Sequence, residues 1–292
     1  MVDGLGRLRH VSAAEDPELF WAVRGGGGDF GIITRIELRL YPAAQVYGGR
    51  LLWPADRMRE VLHAFRAVTA AAPPELSVWF HAYQFPALLE VPEPLRGNPF
   101  SSVAVAHIGS AEEAEAALAP LRAVPGVVLD LMREVPIGCL GDITSEPTEP
   151  MPGVETSRLL ERLDDQLIEE LVATVGPGSG SPLPIVQLRH LGGAFRDRTP
   201  SGGCFGPVPE EYLLWALGVP VNDALTEAVT TRFSLLEQVT ERCASGRTLL
   251  AFLGARPTTA WWSHHTRAQL VAAKKRSDPK GVIRSNRPVC SA

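Results

Sequence analysis

The stretch DPELFWAVRGGGGDFGIIT, residues 16–34, joins a helix to a strand through a run of four glycines. Asp16 is suited to the N-cap of that helix and Pro17 to its first turn, and the glycines end it. From Ile32 to Leu40 apolar and polar residues alternate, which predicts a strand with one buried face. Because glycines let backbone N–H groups approach a ligand closely, the run is the first candidate for a binding site.

Two familiar glycine motifs do not fit this order of elements. Gly26, Gly28 and Gly31 satisfy G-x-G-x-x-G, but a dinucleotide-binding fingerprint follows a strand and opens a helix, whereas here the helix comes first. The glycine loop of a protein kinase needs a lysine on a nearby strand. All three lysines of this chain lie at or beyond residue 274, so the kinase interpretation fails too.

Helix, four glycines, Asp-Phe-Gly and strand together resemble the flavin domain of the vanillyl-alcohol-oxidase-type FAD oxidoreductases, in particular their berberine-bridge-enzyme-like branch. Weaker matches are Tyr47-Gly48-Gly49, Leu191-Gly192-Gly193-Ala194, Lys274-Lys275-Arg276-Ser277-Asp278-Pro279 and Asn286. The resemblance implies an α+β fold: a substrate domain with a large antiparallel sheet covered by helices, plus the remaining part of a two-subdomain FAD-binding domain. It assigns residues 1–42 and 256–292 to the FAD-binding domain and residues 43–255 to the substrate domain.

The same resemblance implies that backbone amides of the glycine run contact FAD, since main-chain N–H groups suit an anionic pyrophosphate. The residues at matching positions are Gly25, Gly26, Gly27, Gly28, Asp29, Phe30, Gly31, Ile32 and, in the closing motif, Asn286. No catalytic residue is assigned. An intact relative would oxidise a small substrate by hydride transfer to the flavin.

The chain departs from the family pattern at three places. Asp29 stands where the family usually has Asn, and a carboxylate near phosphate is unfavourable, although a backbone contact would survive. Leu249-Leu250-Ala251 replaces a Tyr-x-Asn strand, and Asn286-Arg287-Pro288 replaces Asn-Gln-Asn. The site is therefore expected to have lost several side-chain contacts.

The family's main pyrophosphate loop, and the His and Cys that attach the flavin covalently, lie N-terminal to anything in this chain. We therefore expect a C-terminal portion in which no residue forms the covalent link. Two functions stay open: an FAD-dependent oxidoreductase, and a catalytically silent fragment or binding module that self-associates or needs the N-terminal segment as a partner.

Composition excludes several other classes. The chain has 292 residues, 45% of them hydrophobic and 21% charged, as is typical of globular proteins. A net charge of −5 argues against nucleic-acid binding, and no run approaches the ~18 apolar residues of a membrane helix. With no apolar leader, a cytoplasmic location is expected. Four widely spaced cysteines predict neither a metal site nor a disulfide framework.

Periodicity predicts the other elements. Strands are expected over residues 46–53, 76–83, 100–108, 127–135, 185–191, 212–219 and 248–253, helices over 54–71, 111–122, 163–175, 222–243 and 260–276, and loops over 84–99 and 136–157. This pattern indicates one antiparallel sheet with helices on one side.

Histidines are the remaining candidates for chemistry. His81 and Tyr83 lie two apart on a predicted strand and share a face. His190 lies on another strand, and His264 and His265 begin the last helix. For each histidine a structural role is favoured over a catalytic one.

Overall fold

The computed structural model describes residues 1–85, 93, 95–144, 152–196, 202–254 and 262–290. It divides into two compact units. Unit 1 comprises Met1–Tyr41, Arg196–Val208 and Arg247–Ala292, and unit 2 comprises Pro42–Phe195 and Pro209–Gly246. The chain therefore enters unit 1 three times.

Unit 2 contains, within its described residues, one eight-stranded sheet. Its strands are β1 (Gln45–Pro54), β2 (Leu76–Gln84), β3 (Pro99–His107), β4 (Leu129–Asp130), β5 (Arg133–Pro136), β6 (Val154–Leu160), β7 (Ile185–His190) and β8 (Tyr212–Gly218). The order is β4-β1-β3-β2-β7-β8-β6, with β5 also paired to β1. The pairs are antiparallel, as the sequence pattern predicts.

The helices of unit 2 are α2 (Met58–Ala70), α3 (Ala111–Ala117), α4 (Ala119–Arg122), α5 (Gly141–Thr144), α6 (Asp165–Val175) and α7 (Asp223–Thr240). Apolar residues of α2, α6 and α7 pack on one face of the sheet to form the main core. Phe65 of α2 lies at the centre of this core, 6.2 Å from the ring of Phe80 and 5.9 Å from that of Tyr212. The side chains on one face of each strand are buried in this core, and a slip of one residue would expose them. Burial therefore fixes the register of the strands.

Unit 1 contains α1 (Pro17–Val23) and α8 (His264–Ser277), which contact each other. Val2 forms isolated bridges with Leu8 and Ile32. Short 3₁₀ turns cover Leu250–Phe252 in this unit and Ala55–Arg57, Ile137–Cys139, Gly193–Phe195 and Glu241–Cys243 in unit 2.

Local capping signals in the sequence are confirmed. Asp16 accepts a hydrogen bond from the amide of Leu19. Ser110 and Glu113 form a capping box, and Asp164 and Asn222 cap α6 and α7. Each cap needs only neighbours within three residues, so sequence suffices to predict it.

Four predicted elements are corrected. Residues 33–41 form no strand, because no strand of the described part of the chain lies beside them to supply ladder hydrogen bonds. The strand expected over 248–253 is the 3₁₀ turn, and that over 127–135 is split into β4 and β5. The loop expected over 136–157 contains α5 and the start of β6, while residues 145–151 lie outside the described residues. So do residues 86–92 and 94 of the other predicted loop, and residues 255–261 before α8.

Candidate functional site

The glycine loop of unit 1 has a backbone that only glycine adopts easily. Gly25 has φ 109° and Gly27 has φ 80°. A Cβ at Gly25 would lie 2.5 Å from the Cβ of Phe205, and one at Gly26 would collide with the carbonyl of Ala22. The end of α1 and residues 203–205 therefore pack closely around the first half of the loop.

An open cleft of about 470 Å³ lies beside this loop, wholly within unit 1. It is lined by Val23, Gly25, Gly27, Phe205, Leu250, Ala251, Asn286 and Arg287. A Cβ on Gly27 would stand 3.5 Å from Leu250 and 3.6 Å from the carbonyl of Arg287. The loop and the C-terminal tail thus form opposite sides of the cleft.

The structure brings together some of the residues that the sequence singled out and not others. Gly25, Gly27 and Asn286 line the cleft. Gly28 faces Ser285, and a Cβ added at Gly28 would lie 3.6 Å from the Ser285 hydroxyl oxygen. The others face elsewhere: Gly26, Asp29 and Phe30 are buried, Gly31 packs on Val2, and Ile32 pairs with Val2.

Two lining residues were missed by sequence reasoning. Phe205 lies in no predicted helix or strand and is more than 170 residues from the glycine run, so no local signal marks it. Arg287 appeared only as a departure from the tail pattern. Its guanidinium donates to the carbonyl of Gly254 over 2.5 Å, which holds the side chain along the cleft.

Asp29 does not point a carboxylate at the ligand position, as its place in the run had suggested. Its side chain is 4% exposed, and Oδ2 accepts a hydrogen bond from the amide of Val289 over 2.5 Å. Its carbonyl accepts a hydrogen bond from Lys274 Nζ over 2.8 Å. Asp29 therefore links the glycine loop to α8 and to the tail.

The buried thiol of Cys204 lies against the end of α1. It donates to the carbonyl of Ala22 over 3.3 Å. Burial raises the pKa of this thiol to about 12, so it stays protonated and unreactive. Its role is structural.

These features fit part of a flavin dinucleotide. Val23, Phe205 and Leu250 offer apolar walls to a flat ring, and small residues bring the backbone close to it. Arg287 adds a positive charge suited to an anionic group. The glycines leave space that a Cβ would fill.

Unit 2 carries a second cluster, on the sheet face opposite α2, α6 and α7. His81, Tyr83 and Phe85 stack along it, with ring centroids 5.4 Å and 5.0 Å apart, so the shared face of His81 and Tyr83 is confirmed. Arg50 donates to the Tyr83 hydroxyl over 2.5 Å and to the carbonyl of Thr144. A small cavity of about 130 Å³ adjoins Arg50.

His81 is held in its neutral form. Burial lowers its pKa well below the ordinary value, and the charges of Arg50 and Arg189 lower it further. Its Nδ1, and the hydroxyl of Ser102 on the neighbouring strand, are buried without hydrogen-bond partners among the described residues. Buried polar groups of this kind are uncommon and call for a functional explanation.

Aromatic residues extend this face. The guanidinium of Arg189 lies 4.4 Å from the ring centre of Trp79 and 5.9 Å from that of Trp215.

His190 pairs with Tyr212, whose ring belongs to the core face, so His190 lies on the other side of the sheet from His81. His264 and His265 are exposed on the first turn of α8.

Across the parts of the chain that the structure describes, no group of three His, Cys, Asp or Glu side chains could hold a metal ion. Among the same residues, no helix combines the length and apolar character needed to cross a membrane.

Sequence comparison finds relatives over parts of the chain, although no family model matches it. The FAD-linked oxidoreductase azaL of Aspergillus niger is 37% identical over 81 residues, which are 27% of this chain and 17% of the relative. The (R)-6-hydroxynicotine oxidase of Paenarthrobacter nicotinovorans is 28% identical over 137 residues, 44% of this chain and 27% of the relative.

Solved structures match over the whole chain. BBE-like 1 of Physcomitrella patens superposes with a TM-score of 0.79 at 17% identity, covering 100% of this chain and 64% of the other. The 6-hydroxy-D-nicotine oxidase of Arthrobacter nicotinovorans gives 0.77 at 19% identity, covering 99% and 64%. The chain thus spans just under two thirds of the solved structures that it resembles.

At these identities the superpositions establish the fold, and one of the two partial sequence matches is to a protein named as an FAD-linked oxidoreductase. The resemblance read from the glycine run is confirmed: in fold and local sequence this chain is similar to part of the berberine-bridge-enzyme-like FAD-linked oxidoreductases.

Proposed function

We propose that the chain is the FAD- and substrate-binding portion of an FAD-dependent oxidoreductase acting on a small organic molecule. The observation that carries the proposal is the cleft formed by Gly25, Gly27, Asn286 and Arg287 in unit 1. FAD, when bound, would supply the acceptor for a hydride from the substrate. Unit 1 then corresponds to the FAD-binding domain and unit 2 to the substrate domain.

Within this proposal each side of the cleft has its own task. Backbone amides of Gly27 and Gly28 approach the cofactor, and Asn286 and Arg287 contact it from the tail. Gly25, Gly26, Asp29, Phe30 and Gly31 keep the loop in shape, and Ile32 contributes through its backbone pairing with Val2.

The polar face of the sheet in unit 2 would contact substrate. His81 is neutral, and Arg50 and Arg189 favour a negative charge nearby. Tyr83 and the two tryptophans offer flat apolar contact. The cytoplasmic location expected from the sequence remains a prediction.

A titration of the purified chain with FAD tests the proposal, followed by quenching of flavin fluorescence. Gly27→Ala is expected to weaken binding, since the methyl group would enter the cleft at φ 80°. Gly178→Ala is the matched control, because Gly178 has φ 77° in unit 2 with nothing within 4 Å of the added Cβ. Binding that is absent, or equally weakened by both changes, would contradict an FAD site at this loop.

The alternative is a catalytically silent portion that needs a partner segment. It is favoured by Leu249, Leu250 and Ala251, which offer no polar group where the family has two, and by the 64% coverage of the solved structures. Size-exclusion chromatography distinguishes this case. A chain that binds no FAD and self-associates, or binds FAD only after an N-terminal flavin subdomain is added, supports the alternative.

A further inference from the structure

The feature that the proposed function leaves unexplained is the ammonium group of Lys274, in the last turn of α8. It donates three hydrogen bonds, to the carbonyl of Asp29 over 2.8 Å, to Oδ2 of Asp278 over 2.7 Å and to the carbonyl of Ile283 over 2.7 Å. An ammonium has three donors, so all are used. The three acceptors belong to the glycine loop, the end of α8 and the tail.

Asp278 and Asp29 each extend the network into the tail. The carboxylate of Asp278 accepts the amides of Val282 and Ile283, both over 2.8 Å, and that of Asp29 accepts the amide of Val289. Burial alone would raise the pKa of Asp278, but the hydrogen bonds from Lys274 and the two amides lower it. We name Lys274, Asp29 and Asp278 the lysine network.

The charges of the lysine network make it sensitive to the loss of one group. The side chains of Asp278 and Asp29 are 0% and 4% exposed, and Lys274 is 13% exposed. One ammonium therefore serves two buried carboxylates, and removing it leaves both without a counter-ion among the described residues. Breaking such a buried arrangement is much costlier than losing an exposed ion pair.

The lysine network also lies next to the residues that line the cleft. Gly27 and Gly28 face Arg287 and Ser285 at distances that leave room for one added carbon atom. Asp29 follows these glycines directly, and Val289 lies two residues after Arg287. Fixing Asp29 to Lys274 and to Val289 thus fixes both sides of the cleft.

We infer that Lys274 is a positioning residue, which holds the glycine loop and the C-terminal tail together beside the cleft proposed for FAD. The effect on FAD rests on the proposed cofactor function, whereas the effect on the loop and tail does not. Neither Lys274 nor Asp278 is assigned a contact with the cofactor.

Amide hydrogen exchange of the whole chain tests the inference without cofactor. Lys274→Met is expected to speed exchange in the peptide covering residues 280–290 by about tenfold, since hydrogen bonds to charged groups are lost. Lys275→Met, the next residue on the exposed side of α8, should change nothing. Peptides from the strands of unit 2 serve as an internal reference. Equal exchange in the two variants would overturn the inference.

A second pair of variants decides the question if Lys274→Met does not fold. Asp29→Asn keeps an oxygen that accepts the amide of Val289, whereas Asp29→Ala does not. The alanine variant alone should expose the tail to exchange, and a tail equally protected in both would contradict the inference.

FAD titration of the same proteins completes the test. Lys274→Met is expected to raise the FAD dissociation constant about tenfold over Lys275→Met at an unchanged melting temperature of unit 2. An unchanged constant would overturn the positioning role. If no variant and no wild-type chain binds FAD, the proposed function fails, while the exchange result still judges the lysine network.

Discussion

Gly25 shows how one residue can be constrained twice. Its φ of 109° is open to glycine at little cost, and Phe205 occupies the place where a side chain would begin. The first constraint is local and could be anticipated from four glycines after a helix. The second comes from a segment about 180 residues away, which sequence alone does not reveal.

Gly25→Ala should therefore destabilise unit 1 by more than its backbone conformation explains. We expect a loss of roughly 2–4 kcal/mol in the free energy of unfolding, from the strained φ and the contact with Phe205. Gly6→Ala is the control, because Gly6 has φ 74° and nothing within 4 Å, and should cost about 1 kcal/mol. Denaturant titration measures both, and equal losses would show that Phe205 imposes no constraint.

Asp3 is a second residue whose environment gives a definite prediction. Its carboxylate is buried and accepts the amides of Leu5 and Arg7 and the Nε of Arg7, each over 3.0 Å. Burial would raise its pKa, but these hydrogen bonds lower it to about 2. The folded state thus binds this proton less tightly than the unfolded chain does.

The stability that Asp3 contributes is therefore present above pH 4 and lost as the pH falls towards 2. Asp3→Asn should lower the stability at pH 7 and remove this part of the acid dependence. Arg7→Gln, which keeps the carboxylate but removes a donor, should reduce it. Melting temperatures between pH 2 and 7 measure the effect, and parallel curves for wild type and Asp3→Asn would refute the assignment.

At the scale of elements, residues 33–41 are the clearest failure of sequence reasoning. The alternation of Ile36, Leu38 and Leu40 with charged residues has the period of a strand, yet these three side chains are 68%, 67% and 85% exposed. An alternation of period two shows that a segment can form a strand where a partner strand lies beside it. The described residues contain no partner strand for residues 33–41.

Among the described residues, this segment should be cut by a protease before the strands of unit 2. Trypsin is expected to cleave after Arg35 or Arg39, which are exposed and outside the sheet, well before Arg50, which lies in β1. Mass spectrometry of the early fragments identifies the site. Resistance at Arg35 and Arg39 would mean that another strand covers the segment in solution, as the silent-portion alternative requires.

The sequence-based prediction of other elements failed for a different reason. Residues 154–160 form β6, but the Pro- and Gly-rich residues before them favoured a loop. Residues 248–253 are a short apolar run, which periodicity cannot distinguish from a turn. The strands β1, β2, β3, β7 and β8 lie where the sequence predicts them.

At the scale of the whole molecule, sequence predicted an antiparallel sheet covered on one side but not the order of its strands. That order depends on which surfaces meet after the chain has turned, and no single element encodes it. Similarly, the sequence marked the glycine loop and Asn286 but not Phe205, because residues 196–208 leave unit 2 and return to unit 1.

The hydrogen bond between Asp29 and Lys274 joins residues 245 positions apart. Ribosomes add about 5–20 residues per second, so the glycine loop would wait roughly 10–50 seconds for its partner to be made. During synthesis the sheet of unit 2 can form once residues 42–246 have been made, while the glycine loop remains without the lysine that fixes it. A chain that ends before residue 274 would then have a folded sheet in unit 2 and a glycine loop without its lysine partner. Nascent chains on ribosomes stalled before residue 274 should show this state.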